Sequence, residues 1–273
     1  MGEFVQVAME QRELGTVARV TLSRPELHNA FNEVMIQELQ AVFAGFTRQS
    51  DVRVVVLQAE SKSFCAGADL NWMKKMVDYT FEQNVEDAHA LASMLRTIHD
   101  CPKPVIARVH GAAFGGGVGL VAACDMAVAL DSASFSLSEV KLGLLPAVIS
   151  PFVLKKIGSG SAHRYFLTAE RFSAAEALRI GLIHDTAPDV EALDARVDVL
   201  INALLANGPE AVAQCKVLIE QVCHVEWSRA VDITTKMIAE RRSSREGQEG
   251  MKAFLEKRSP SWTQAGAPAG KGS

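Results

Sequence analysis

The chain has 273 residues, 48% of them apolar, so it can bury a sizeable core, and intrinsic disorder is excluded for most of its length. A formal net charge of −4 with interspersed signs gives no basic face, which argues against nucleic acid as a partner and means that an acidic ligand must be met locally. The opening MGEFVQVAME is acidic and strand-like, and no uncharged apolar stretch reaches membrane-spanning length, so the sequence predicts an unexported cytoplasmic protein with no membrane partner.

Alternation at Val5 and Val7, then at Val17, Val20 and Leu22, predicts two strands joined by a polar turn around Gln11 to Gly15. From Asn32, a suitable N-cap, the apolar residues Met35, Leu39, Val42, Phe43 and Phe46 recur at helical spacing. The run Val54 to Leu57 is short, continuous and mostly β-branched, as in a strand covered on both faces; Val105 to Val109 repeats that character and Met126 to Leu130 is a third candidate. Between the first two lies a helical pattern from Phe81 to Asp100 that stops before Pro102 and Pro104, so the order strand, helix, strand predicts an α/β fold with a parallel sheet. Helices are then predicted at Ser161–Thr168, Ser173–Ile180 and Asp189–Ala206, with three more after Pro209. The chain thus divides into an α/β core over 1–200, a helical region over 201–260 and, from its Gly, Ala and Pro content, a disordered tail over 261–273.

The cysteines Cys65, Cys101, Cys124, Cys215 and Cys223 include no CxxC pair, and Cys215, Cys223 and His224 match no metal-ligand spacing. They read as small buried hydrophobes in a reducing compartment, with no metal.

Two glycine-bearing segments follow the strand candidates, Ser63-Phe64-Cys65-Ala66-Gly67-Ala68-Asp69 and Gly111-Ala112-Ala113-Phe114-Gly115-Gly116-Gly117-Val118-Gly119. Either alone serves a tight turn. Together, small residues that let a ligand approach the backbone, each opening a helix, can present two amides to a carbonyl oxygen that becomes negative. The run Gly117-Val118-Gly119-Leu120-Val121-Ala122 also fits a dinucleotide fingerprint, but it does not directly follow a strand and is not in the first unit of the sheet. No Walker-type lysine follows either segment.

The stretches Phe64 to Leu70 and Gly111 to Gly117 strongly resemble the two signatures of the enoyl-CoA hydratase/isomerase, or crotonase, superfamily. The resemblance continues through Arg24-Pro25, Asn29-Ala30, Lys103 to Ala107, Cys124-Asp125, Leu142-Gly143, Thr168 to Arg171 and Ala253 to Arg258. It implies a crotonase-like spiral of ββα turns giving two roughly perpendicular sheets, followed by a helical C-terminal trimerisation region in a homotrimer or homohexamer. It implies also that the amides of Ala68 and Gly116 form the oxyanion hole, that Ala66, Gly67, Asp69, Leu70 and Gly115 lie along a bound acyl-CoA, and that Phe254 and Lys257 of a neighbouring subunit close over the nucleotide. Coenzyme A would arrive as part of the substrate, with no other cofactor.

Hydratases of this family commonly carry two catalytic glutamates, and here the first of those positions reads Gly119 while the second reads Glu139. Leu137, Val140, Leu144 and Leu145 around Glu139 predict a carboxyl whose pKa is raised by desolvation toward the range where it exchanges protons efficiently. Gly119, Leu144, Pro146 and Arg164 are the candidates for the acyl pocket. The segments Pro146 to Pro151 and Arg164 to Phe172 resemble the methylglutaconyl-CoA hydratase subgroup of leucine degradation, whose substrate carries a second carboxylate that an arginine such as Arg164 could bind, although a helical arginine more often pairs with a nearby acid. His110 and His163 read as structural. Three functions stay open: hydration or dehydration of a 2-enoyl-CoA, which leads; double-bond isomerisation, which the single glutamate permits; and CoA or RNA binding with little catalysis.

Overall fold

The structure, a computed structural model, describes residues 2–264. It opens on the expected hairpin, in which β1 (Val5–Arg12) pairs antiparallel with β2 (Gly15–Leu22) and Arg12 stands opposite Gly15. Helix α1 (Glu33–Gly45) begins where the sequence places it, because the Asn32 side chain accepts the Met35 amide at 2.9 Å, and Met35, Ile36, Leu39 and Phe43 form its buried stripe.

Three successive units then each send a long strand into one sheet, a short strand into a second sheet, and a helix back. The first is β3 (Val52–Ala59), β4 (Ser63–Cys65), α2 (Leu70–Met76) and α3 (Phe81–His99). The second is β5 (Val105–Val109), β6 (Ala112–Phe114) and α4 (Gly116–Ala123), and the third β7 (Met126–Leu130), β8 (Ser134–Ser136) and α5 (Ser150–Thr168). A final turn adds β9 (Phe172–Ser173), α6 (Ala174–Arg179), β10 (Asp185–Ala187) and α7 (Val190–Leu205). The large sheet has the order β1-β2-β3-β5-β7-β10 and is parallel from β2 onward; the small one, β4-β6-β8-β9, is parallel except at β8-β9. This is the ββα spiral that the family resemblance implies.

The continuous apolar runs have a direct cause. Alternate residues of a strand point to opposite faces, and here each face meets its own core. Val55, Leu57, Val105, Ala107, Ala127 and Ala129 face the main core with α1, α3 and α4, whereas Val54, Val56, Ile106 and Val128 pack under Leu193, Val197, Ile201 and Leu205 of α7. Asp189 starts α7 by accepting the Ala192 amide at 2.8 Å, and the helix runs across residue 200, so the outer layer of the sheet extends to Leu205. Helix α5 starts well before the predicted Ser161, because Gly158, at φ 67°, kinks it and interrupts the apolar period.

Helices α8 (Pro209–Val222), α9 (Trp227–Ser243) and α10 (Arg245–Leu255) follow as a group of their own. Neither α8 nor α9 has a buried residue, so Cys215 and Cys223 are exposed, contrary to the buried role expected of them; Cys65, Cys101 and Cys124 are buried. The Lys216 ammonium ties α8 to the core through Asp125 at 2.7 Å, and the Glu246 carboxylate accepts the Glu210 and Ala211 amides at the start of α8. Of the predicted tail, Ser261–Thr263 forms a short 3₁₀ turn and Trp262 donates to the Ala206 carbonyl at 3.2 Å; residues 265–273 lie outside the described residues. Among the described residues no helix is long and apolar enough to cross a membrane.

Candidate active site

The two glycine-bearing segments lie side by side where β4 and β6 pair in parallel. A Cβ placed on Gly67 would stand 3.1 Å from the Phe114 carbonyl oxygen and 3.9 Å from the Gly116 nitrogen, and Gly67 itself has φ +94°. A side chain there would be both strained and obstructed. Gly115, at φ +51° and ψ −118°, turns the chain from β6 into α4, so that the Gly116 amide begins the helix. Among the described residues neither the Ala68 nor the Gly116 amide donates a hydrogen bond to a backbone or side-chain acceptor. Both are outside the closed core: Ala68 is exposed and Gly116 partly so. Two free amides at adjoining turns, one at a helix N-terminus, can hold an oxygen on which negative charge develops.

The Ala68 turn is held from beneath by residues whose part the sequence reading did not find. Phe31 bridges to it in parallel fashion, donating its amide to the Gly67 carbonyl at 2.7 Å and accepting the Asp69 amide at 2.8 Å, while its ring occupies the space that a side chain at Gly116 would need. Asn29, wholly buried, accepts the Arg24 amide and donates to the Glu60 and Ser63 carbonyls, clipping the start of β4 to the earlier loop. The Asn29-Ala30 match was the available signal; Phe31 beside it carries no distinguishing pattern. Asp69 does not turn its side chain along the cleft. It is 3% exposed, caps α2 through the Asn71 and Trp72 amides, and pairs with the buried Arg24 guanidinium at 2.5 Å. Burial alone would raise the Asp69 pKa, but those amides and Arg24 outweigh it and hold the carboxyl below its ordinary value.

Glu139 opens a single 3₁₀ turn (Glu139–Leu142) just after β8, and the Gly115 amide, donating to the Ser136 carbonyl at 2.8 Å, draws the oxyanion turn against that strand end. A Cβ on Gly115 would lie 3.2 Å from Glu139 Oε1, so the carboxyl stands directly beside the Gly115-Gly116 turn. Its other oxygen, Oε2, is buried and has no hydrogen-bond partner among the described residues. Desolvation pushes the Glu139 pKa above the ordinary glutamate value, against a smaller opposing effect of its own backbone amide. The surroundings differ from the expected ones: Leu137 is buried, but Leu144 and Leu145 are 53% and 74% exposed. The desolvation is that of the inner oxygen, Oε2, which is buried away from these exposed leucines.

Gly119, on α4 one turn beyond Gly115, has no free space beside it. A Cβ there would fall 2.3 Å from Ile149 Cγ2 and 3.7 Å from Leu95 Cδ1. Pro146 is buried three residues before Ile149. Arg164 is exposed and engaged by Glu170 at 2.6 Å, the pairing expected of a helical arginine, whereas Arg171 lies 4.8 Å over the Phe114 ring and has no ion-pair partner among the described residues. Ala66 donates its amide to the His28 carbonyl, Leu70 is exposed at the start of α2, and Phe254 and Lys257 are exposed at the far end of the chain. His110 bonds the Ser61 carbonyl and His163 the Ser159 carbonyl, as structural histidines do.

Residues 12–265 match the enoyl-CoA hydratase/isomerase family. The chain belongs to that family. It is 40% identical over 207 residues to the enoyl-CoA hydratase ACTT6 of Alternaria alternata, covering 76% of this chain and 67% of that protein. It is 32% identical to the short-chain-enoyl-CoA hydratase of Clostridium acetobutylicum, covering 94% and 97%. Among solved structures, an enoyl-CoA hydratase from Shewanella pealeana superposes with a TM-score of 0.90 at 46% identity, covering 95% of this chain and 96% of that one. Pseudomonas aeruginosa AtuE superposes at 0.89 with 38% identity, covering 94% and 99%. This member of the hydratase/isomerase family is therefore an enzyme, and the site just described is where its chemistry is sought.

Proposed function

We propose that the enzyme adds water to, or removes it from, a 2-enoyl-CoA, with Glu139 as the acid and base and the Ala68 and Gly116 amides as the oxyanion hole. The observation that carries the reading is the Glu139 carboxyl, with a buried, unpartnered oxygen, beside two amides free to bind the thioester oxygen. In the hydration direction, water oxygen bonds C3 as Glu139 takes one water proton, the C2–C3 π electrons move onto the thioester oxygen, and C2 then takes a proton from Glu139 as the carbonyl re-forms. The product gains one water and Glu139 ends as it began. Each oxyanion donor can lower the barrier by roughly 3 kcal/mol.

Methylglutaconyl-CoA of leucine degradation is the substrate we favour, on the resemblance of Pro146–Pro151 and Arg164–Phe172. Arg164 is paired to Glu170, whereas Arg171 lies over Phe114, the residue before the Gly115-Gly116 turn, and is the alternative cation for the substrate's second carboxylate. Coenzyme A enters as part of the substrate, along Ala66, Gly67, Leu70 and Gly115, and α8–α10 assemble the chain into a trimer or hexamer in which a neighbour's Phe254 and Lys257 reach the nucleotide.

A second reading, isomerisation by transfer of one proton from C4 to C2, is favoured by the closure of the 119 position to a second glutamate. The two separate in oxygen-labelled water. Hydration puts the label on C3 and removes the conjugated enoyl absorbance; a double-bond shift with no label in the product would overturn the hydratase reading.

A further inference from the structure

Ile149 is the N-cap residue of α5, between the buried Pro146 and the exposed Pro151, and its own carbonyl accepts the Phe152 and Val153 amides at 3.1 Å. Its backbone is thus fixed from both sides, and its β-branched side chain has little rotamer freedom. That side chain meets Gly119, where an added Cβ would fall 2.3 Å from Cγ2 and 2.9 Å from Cβ of Ile149. The Gly119 amide bonds the Gly115 carbonyl at 3.3 Å, so the two glycines stand one above the other on α4. Gly115 is covered by Glu139 Oε1 and Gly119 by Ile149. The carboxyl and the aliphatic group thus cover two positions four residues apart at the start of α4.

We propose that Ile149 is a positioning residue for Glu139: it occupies the space of a side chain at 119, holding the centre to one carboxyl group, and closes the inner side of Glu139 to water. The proposal rests on the acid and base role given to Glu139 above. Ile149 touches neither substrate nor reacting atoms in this role; it acts through the environment of the glutamate.

Two measurements on the full chain test it. In the first, the Glu139 carboxyl is titrated by NMR in carbon-labelled wild type, Ile149→Val and Ile149→Ala, alongside the pH dependence of kcat/KM. Opening the site lowers the Glu139 pKa, so Ile149→Ala moves its titration and the acid limb of the profile to lower pH by about half a unit or more, while Ile149→Val stays near wild type. In the second, Gly119→Glu is compared with Gly119→Glu/Ile149→Gly. The single variant loses thermal stability, and removing the Ile149 side chain restores part of the lost Tm, although Ile149→Gly alone lowers it. A Glu139 titration unmoved in folded Ile149→Ala, or effects of the two substitutions that merely add, would overturn the proposal. The NMR titration and the Tm comparison work without turnover, so a wild type inactive on every enoyl-CoA would refute the function proposed above while these two results still decide the role of Ile149.

Discussion

Glu139 is a group whose ionisation the fold opposes. Because burial raises its folded pKa above the unfolded one, its contribution to stability is fully present below the unfolded value and is lost as pH rises through the folded value. Glu139→Gln should accordingly raise Tm more at about pH 8 than at about pH 4, while lowering kcat on the true substrate by roughly 10²-fold or more. Asp69 is the opposite case. Its folded pKa is depressed, so its contribution is present above the unfolded value and disappears as pH falls through the folded one. Arg24→Leu would leave the Asp69 carboxylate buried without its cation, and urea unfolding should show a loss of roughly 3–5 kcal/mol at neutral pH. The glycine turns stood out in the sequence as local patterns, and the family resemblance then singled out Ala68, Gly116 and Glu139 within and after them. The roles of Ile149, Phe31 and Arg24, the last named only within the Arg24-Pro25 match, did not stand out, because each matters through a contact with a residue far along the chain, and no spacing rule joins 119 to 149.

Among the elements, those long enough to show a period were legible. The Val54–Leu57, Val105–Val109 and Met126–Leu130 runs revealed the large sheet, and Asn32 and Asp189 marked helix starts through their capping side chains. The small sheet was foreseen only through the family resemblance, since β4, β6 and β8 have three residues each and cannot display an alternation of their own. These same short strands bring the two oxyanion turns together and place Glu139 at their edge, so the part of the fold least visible in sequence is the part that assembles the site. Helix α7 belongs to the other face. Ile201→Ala should cost about 2–5 kcal/mol through the cavity it leaves against Val54 and Val56, and hydrogen exchange should speed up first in α7. If the site amides lost protection equally, the two cores would be one cooperative unit.

For the whole molecule, the helices after Leu205 present large apolar side chains outward: Trp227 is 82% exposed and Phe254 84%. A self-association that covers them fits the trimer or hexamer proposed above. Sedimentation of the full chain should give one of those states, and, on the proposal that a neighbour's Phe254 covers the nucleotide, Phe254→Ala should raise KM for acyl-CoA with little change in kcat. A monomer at micromolar concentration would refute the assembly.

The two-faced burial of β3 has a cost before the chain has folded. Val54, Val55, Val56 and Leu57 cannot include a polar residue on either side, which leaves an uninterrupted, strongly strand-forming tetrad open to other chains during synthesis or refolding. Arg53 at its border is then a gatekeeper as well as a fastener: it interrupts intermolecular pairing while unfolded, and once folded its guanidinium locks the carbonyls of Leu14, Leu205 and Asn207. Arg53→Leu should leave more protein in aggregates on refolding from denaturant than its loss of equilibrium stability alone accounts for, as light scattering would show.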